Sequence, residues 1–158
     1  MEKTALSQKL EYVKQILTTA NQFDHAVNVL MYDQETICPI DAMEDQGEVM
    51  AFLGNESYKL IKEPAFVEAA EYLYEHRSEL EELDRVMAEQ LHRNYLQTKN
   101  VTPELQHEFS RVFNRSFVNW SKAREAADYS LFAPSLHALM ILLTPVSVFF
   151  DTLVKIIS

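Results

Sequence analysis

Two glycines among 158 residues, Gly47 and Gly54, constrain this chain more than any other feature of its sequence. Hairpin turns and bulges draw on glycine for backbone angles that other residues resist, so a chain this poor in glycine cannot close many strands into a sheet. Five prolines add little turn capacity. Hydrophobic residues make up 47% of the chain, enough for a buried core. The expected fold is all-α, an array of about six helices that are mostly antiparallel neighbours.

Apolar periodicity places those helices. Leu6, Leu10, Val13, Leu17, Ala20, Val27 and Leu30 recur in steps of three, four and seven, which predicts a first helix over 4–31, roughly 40 Å long. Ile37, Cys38 and Pro39 interrupt it, because proline lacks the backbone donor and pushes its predecessor out of the helical region. Asp41 is the expected N-cap of a second helix that runs to Lys62 through Met43, Val49, Met50, Leu53 and Leu60. Gly47 and Gly54 weaken that helix by about 1 kcal/mol each relative to alanine. Pro64 opens a short third helix to about His76, and Ser78 with Glu81 has the spacing of a capping box for a fourth, ending near Lys99.

Thr102-Pro103-Glu104 supplies a capping hydroxyl, a proline where its missing donor is harmless, and an acid against the helix dipole. A fifth helix is therefore expected from there to about Ala127. Leu105, Phe109, Val112, Phe113, Phe117 and Trp120 fall within roughly 140° of one another on it, a pattern that predicts a broad buried stripe. Beyond Asp128 the composition changes, with Asp151 and Lys155 the only charged residues over 130–158.

Charge narrows the partners. Lys and Arg number 14 against 24 Asp and Glu, a formal charge of −10, the wrong sign for nucleic acid, an anionic membrane surface or an acidic substrate. Cys38 is the single cysteine and can form neither an internal disulfide nor a thiolate metal cluster. The opening Met-Glu-Lys-Thr-Ala-Leu carries no signal-peptide apolar run, so a cytoplasmic location is expected. The acids between Glu68 and Glu89 fit a solvated helix face.

Few residues offer chemistry. A zinc helix needs His-Glu-x-x-His, and the nearest match, His107-Glu108, has Arg111 at the second ligand position, where a guanidinium has no lone pair to give. Glu89 with His92 and Glu104 with His107 form two Glu-x-x-His pairs of the kind that carboxylate-bridged di-metal bundles use. Yet His107 falls about 155° from the centre of its helix's apolar stripe and should face solvent. Cys38 has no neighbouring base and reads as an apolar filler. Asp33, Gln34, Glu35 and Thr36 stand apart as four polar residues at a helix C-terminus, where the dipole disfavours carboxylates. Asp33 is expected to accept hydrogen bonds from backbone donors where the first two helices cross.

Tyr32-Asp33-Gln34-Glu35-Thr36 followed by Pro39 resembles the Trp-Asp-Gln-Glu-Thr…Met-Pro element near the N-terminus of the carboxypeptidase Taq family of zinc metallopeptidases. Arg93, Tyr95, Val101, Pro103, Glu104, Leu105, Trp120, Ala123, Arg124, Asp128, Phe132, Pro134 and Leu136 follow in that family's order and spacing. The resemblance covers residues 1 to about 137, with Tyr32 for the tryptophan, Cys38 for the methionine and Gln46 where an arginine is common. It implies the N-terminal helical region of a much longer enzyme that trims single residues from peptide C-termini with a zinc-activated water. The family's zinc helix lies beyond the matched region. No catalytic residue and no metal ligand carries over, and zinc is the cofactor of the full-length family, not of these residues. Asp33, Gln34, Glu35, Thr36, Pro39, Trp120 and Arg124 are carried over as structural motif residues only.

Two segments are therefore expected: a helical domain over 1–137 and an apolar, divergent segment over 138–158 that packs on it or on a partner. Residues 138–150 are uncharged but short of the roughly 20 needed to span a membrane, and Pro145 splits them. A homodimer or larger oligomer is expected, with Leu139, Leu142, Val146, Phe149 and Leu153 at its interface, a separate catalytic portion being the other partner to consider. The alternatives to a peptidase fragment are a helical interaction module and the di-metal bundle.

Overall fold

The computed structural model describes residues 4–141, and they are all-α. The helices are α1 (Ala5–Thr36), α2 (Met43–Lys62), α3 (Pro64–Glu75), α4 (Glu82–Thr98) and α5 (Pro103–Glu125), with a further helical run over 133–141. Three short 3₁₀ turns, Ile40–Ala42, Arg77–Glu79 and Tyr129–Leu131, join them. At 1.5 Å per residue the 32 residues of α1 extend about 48 Å. The chain divides into two compact units, one made of residues up to Val29 with Phe52–Gln106, the other of Leu30–Ala51 with the chain from His107 onward.

The first unit has an apolar core. Val13 of α1, Phe66, Ala69, Ala70 and Leu73 of α3 and Ala88 of α4 are buried together, flanked by Leu10, Leu17, Ile61 and Leu91. The alanines let the helices approach and the larger side chains fill the space between them. Pro64 starts α3 at a position where no donor is needed. Lys62 closes the far end of α4, its ammonium donating to the Thr98 carbonyl and to Thr98 Oγ1 at 2.9 Å. Tyr58 donates to the Val101 carbonyl at 2.8 Å. Burial lowers the Lys62 pKa and raises that of Tyr58.

The start of α4 differs from the capping-box expectation. Ser78 lies in the 3₁₀ turn and α4 begins only at Glu82, with Glu81 as an N-cap whose side chain makes no capping bond. The reason is Leu80, which adopts extended backbone and packs against the core cluster. Burial of a leucine outweighs a hydroxyl cap worth about 1 kcal/mol. At α5 the expected signal holds: Thr102 Oγ1 accepts from the Leu105 N–H at 3.2 Å. Glu104 is held below the usual carboxylate range by its own backbone N–H and the Thr102 hydroxyl.

The second unit is built differently. Here α2 and α5 run antiparallel, with Gly47 against Asn114 and Ala51 against His107. Asn114 Nδ2 donates to the Gly47 carbonyl at 2.9 Å. Arg111 Nε donates to both oxygens of Glu48, at 3.0 and 2.9 Å. The glycine is what permits this approach, since a Cβ at position 47 would lie 3.1 Å from that of Asn114.

Two expectations fail on α5. The aromatic stripe is not buried: Phe113 is 56% exposed, Trp120 41% and Leu105 40%, whereas Ser116, Val118 and Ala123 are the buried residues. His107 does not face open solvent but lies half-buried with Nδ1 3.4 Å from the Ala51 carbonyl. The hydrophobic period marks one side of the helix, while the close contact forms where glycine and an amide allow it. Asp41 is no side-chain cap either, because residues 40–42 form a 3₁₀ turn closed by Ala42 N–H donating to the Pro39 carbonyl at 2.9 Å. The C-terminus of α5 closes as a Schellman turn: Asp128 N–H donates to Ala123 and Ala127 N–H to Arg124, with Ala127 at φ 50°. Asp128 then accepts from the Ser130 N–H at 2.9 Å, and the Ser130 hydroxyl together with that N–H lowers its pKa.

Candidate functional site

The polar run at the end of α1 lies in the second unit, and each of its members does something different. Gln34, 4% exposed, donates from Nε2 to the Met43 carbonyl at 2.9 Å and so ties α1 to the first residue of α2. Asp33 accepts from Gln46 Nε2 at 2.8 Å, a side-chain partner and not the backbone donors expected of it. The two roles are exchanged: the neutral amide reaches the backbone, and the carboxylate orients a second amide. Gln46 Oε1 is left buried without a hydrogen-bond partner among the described residues. Thr36 bonds back to the Tyr32 carbonyl at 2.7 Å, and Glu35 is exposed. The helix stops because the Asp33 carbonyl accepts from both Ile37 N–H and Cys38 N–H at 3.0 Å, after which Pro39 is extended at φ −59°, ψ 140°.

Just past this stop the chain borders an open groove of about 400 Å³ lined by Cys38, Ile40, Met43, Trp120, Ser121, Arg124 and Glu125. The structure thus brings two distant motif residues, Trp120 and Arg124, to the segment flanking Pro39. The Arg124 guanidinium lies 5.4 Å above the Trp120 ring. Cys38 is half-buried, and its thiol pKa is raised by desolvation and by the Asp33 carboxylate. That shift opposes thiolate formation at Cys38.

Metal chemistry finds no ligand set. Among the described residues no three His, Cys, Asp or Glu side chains are placed to hold one metal ion. His92 Nδ1 is taken by Glu71, at 2.9 and 3.0 Å, and its ring stacks on Tyr74 with centroids 3.7 Å apart. His92 belongs to the first unit and His107 to the second. Arg111, where a zinc helix would need its second histidine, is held by Glu48. These residues do not fit a zinc ion. No helix among the described residues is long and apolar enough to cross a membrane.

Of the residues expected at an interface, Leu139 lies half-buried in an apolar cavity of about 160 Å³ with Phe113, Phe117, Trp120 and Phe132. Leu142, Val146, Phe149 and Leu153 lie outside the described residues. Sequence reasoning missed two structural residues of the second unit, Gln46 and Asn114. Gly47 was the available signal, because a glycine inside a helix marks a place where another element comes close.

Comparison with known proteins bears directly on the motif. None of the curated proteins matches this chain. The crystal structure of BsuCP matches it with a TM-score of 0.82 and 21% sequence identity, over 88% of this chain and 28% of that one. The chain therefore spans little more than a quarter of the length of that solved protein, and the likeness is one of fold. The family model described as carboxypeptidase Taq (M32) metallopeptidase matches residues 12–150, which takes in the motif, α2 to α5 and part of the apolar segment after 138. The match covers most of the sequence, and the chain belongs to the carboxypeptidase Taq metallopeptidase family.

Proposed function

We propose that this chain forms the N-terminal helical portion of a metallocarboxypeptidase and contributes framework, not chemistry, to the trimming of peptide C-termini. One observation carries the reading: a helical framework that superposes on 88% of this chain occupies only 28% of a solved protein. The family's zinc would activate the attacking water from elsewhere in such a protein. No step is assigned to the residues described here, because the motif amides are spent on α1 and α2, and the only near match to a zinc helix is closed by Arg111.

The test compares the chain alone with the chain joined to its downstream coding sequence. Alone, it is expected to hold no stoichiometric zinc after dialysis and to release no C-terminal amino acid from peptides. Joined to a region carrying His-Glu-x-x-His, it is expected to gain chelator-sensitive release. Zinc at one per chain together with chelator-sensitive release from residues 1–158 alone would overturn the proposal.

A further inference from the structure

A cavity of about 170 Å³ lies wholly within the first unit, between α1, α2, α3 and α4. Much of its wall is apolar: Leu17 and Ala20 of α1, Ile61 of α2, Phe66 and Ala70 of α3, and Leu91 of α4. The volume compares with the roughly 150 Å³ of an apolar cavity that takes up benzene, so a branched side chain of similar bulk fits inside. Several polar groups on the lining are already committed. Ser57 donates to the Ala20 carbonyl at 3.3 Å, Glu71 holds His92, and Thr98 donates to the Asn94 carbonyl at 2.8 Å.

Two charged groups on the lining lack a counter-charge. The Lys62 ammonium lies over the rings of Tyr58 and Tyr95, 5.2 and 5.8 Å from their centroids, and donates to Thr98, with no carboxylate paired to it among the described residues. Burial lowers its pKa, and an anion brought beside it would offset that cost. The exposed Asp24 side chain has no hydrogen bond or ion pair among the described residues. A cation and a carboxylate, each unpaired, around an apolar hollow match a molecule with one charge of each sign and an apolar body. A simple anion fits less well, because Asp24 and Glu71 on the lining and the formal charge of −10 repel it. We infer that the cavity binds a free amino acid with a branched apolar side chain, its carboxylate on Lys62, its ammonium on Asp24 and its side chain against Phe66 and Leu91. The inference stands on the first unit alone and does not rest on the framework role proposed above.

Calorimetric titration of the intact chain tests it. L-Leucine is expected to bind one to one and to raise the thermal midpoint, and glycine to do neither. 4-Methylpentanoate and 3-methylbutylamine, which are leucine without its ammonium and without its carboxylate, are each expected to bind at least about tenfold more weakly than leucine. Asp24→Asn is expected to weaken leucine by about tenfold while leaving 4-methylpentanoate unweakened, a pattern that a general loosening of the fold does not give. Because Asp24 makes no side-chain bond in the fold, this variant serves even where Lys62→Met frays the end of α4. Absence of saturable leucine binding at millimolar concentration overturns the proposal, as does glycine binding as tightly as leucine. 4-Methylpentanoate binding as tightly as leucine, or leucine binding untouched by Asp24→Asn, overturns it in favour of a site for simple carboxylates.

Discussion

Around Leu73 the first unit is held by apolar side chains from α1, α3 and α4 that meet in one cluster, whereas along Gly47 the second unit is held by amides, a guanidinium and a glycine. The first arrangement is cohesive and tolerant of small shifts, because dispersion and water exclusion have little directional demand. The second is directional. Gln34 to Met43, Gln46 to Asp33 and Asn114 to Gly47 each need a particular register between helices, and each leaves a buried polar atom stranded if that register slips. Within one short chain, then, one region is stabilised by burial and the other has its register fixed by hydrogen bonds.

The contrast is sharpest in two truncations. Leu73 is 0% exposed, and Leu73→Ala is expected to cost about 3 kcal/mol, the transfer term plus a cavity. Phe113→Ala removes a larger side chain from the second unit, yet with Phe113 56% exposed the expected loss is well below that of Leu73→Ala. Urea midpoints followed by far-UV ellipticity compare the two. A Phe113→Ala cost equal to that of Leu73→Ala would show that α5's aromatic face is as deeply covered as the core.

The second comparison lies inside the motif. Gln34→Ala leaves the α1–α2 link unmade and is expected to cost about 1–3 kcal/mol. Glu35→Ala, one residue on and exposed, should stay within about 0.5 kcal/mol of the unaltered chain. Asp33→Ala falls between them, because it strands Gln46 Nε2 beside an Oε1 that already lacks a partner. If denaturation placed Asp33→Ala above Gln34→Ala, the carboxylate and not the buried amide would be the main tie between the helices.

How much of this was legible in the sequence follows from the same contrast. Val13, Leu73 and their neighbours announce themselves by period, and Thr102-Pro103 marks the start of α5 because a cap is a local arrangement of adjacent residues. The Ser78 signal was equally local but lost to the burial of Leu80, a tertiary effect. Nothing in the order of residues tells that Asp33 meets Gln46, 13 positions away, or that Asn114 meets Gly47, 67 positions away. Those bonds exist only once the helices are docked. The aromatic stripe of α5 misled for a related reason: period says which residues prefer cover, not what supplies it.

The two glycines of α2 test the directional half with a single methyl. Gly54 has nothing within 4 Å of where a Cβ would stand, so Gly54→Ala is expected to stabilise the chain by about 1 kcal/mol through helix propensity alone. Gly47→Ala carries the same propensity gain but sets a Cβ 3.1 Å from Asn114, whose side chain is pinned by its bond to the Gly47 carbonyl. The gain should vanish or reverse. Equal stabilisation by both substitutions, read from thermal midpoints, would mean that the α2–α5 contact yields freely.

The smallest effect is one of pH, and each unit carries its own instance. Glu104 in the first and Asp128 in the second have pKa values lowered in the folded chain, the former by its own N–H and the Thr102 hydroxyl, the latter by the Ser130 hydroxyl and backbone N–H. A carboxyl whose folded pKa is depressed stabilises the fold above its unfolded value, and that contribution is lost as pH falls through the lowered folded value. Glu104→Gln and Asp128→Asn should therefore leave the chain slightly less stable at neutral pH and converge with the unaltered protein in acid. Both groups are exposed and their bonds are local, so salt should change little and the two losses should add. Urea midpoints for the single and double variants at neutral and acid pH check this, and an Asp128→Asn deficit that persisted undiminished in acid would mean the turn after α5 is held by something other than its carboxylate.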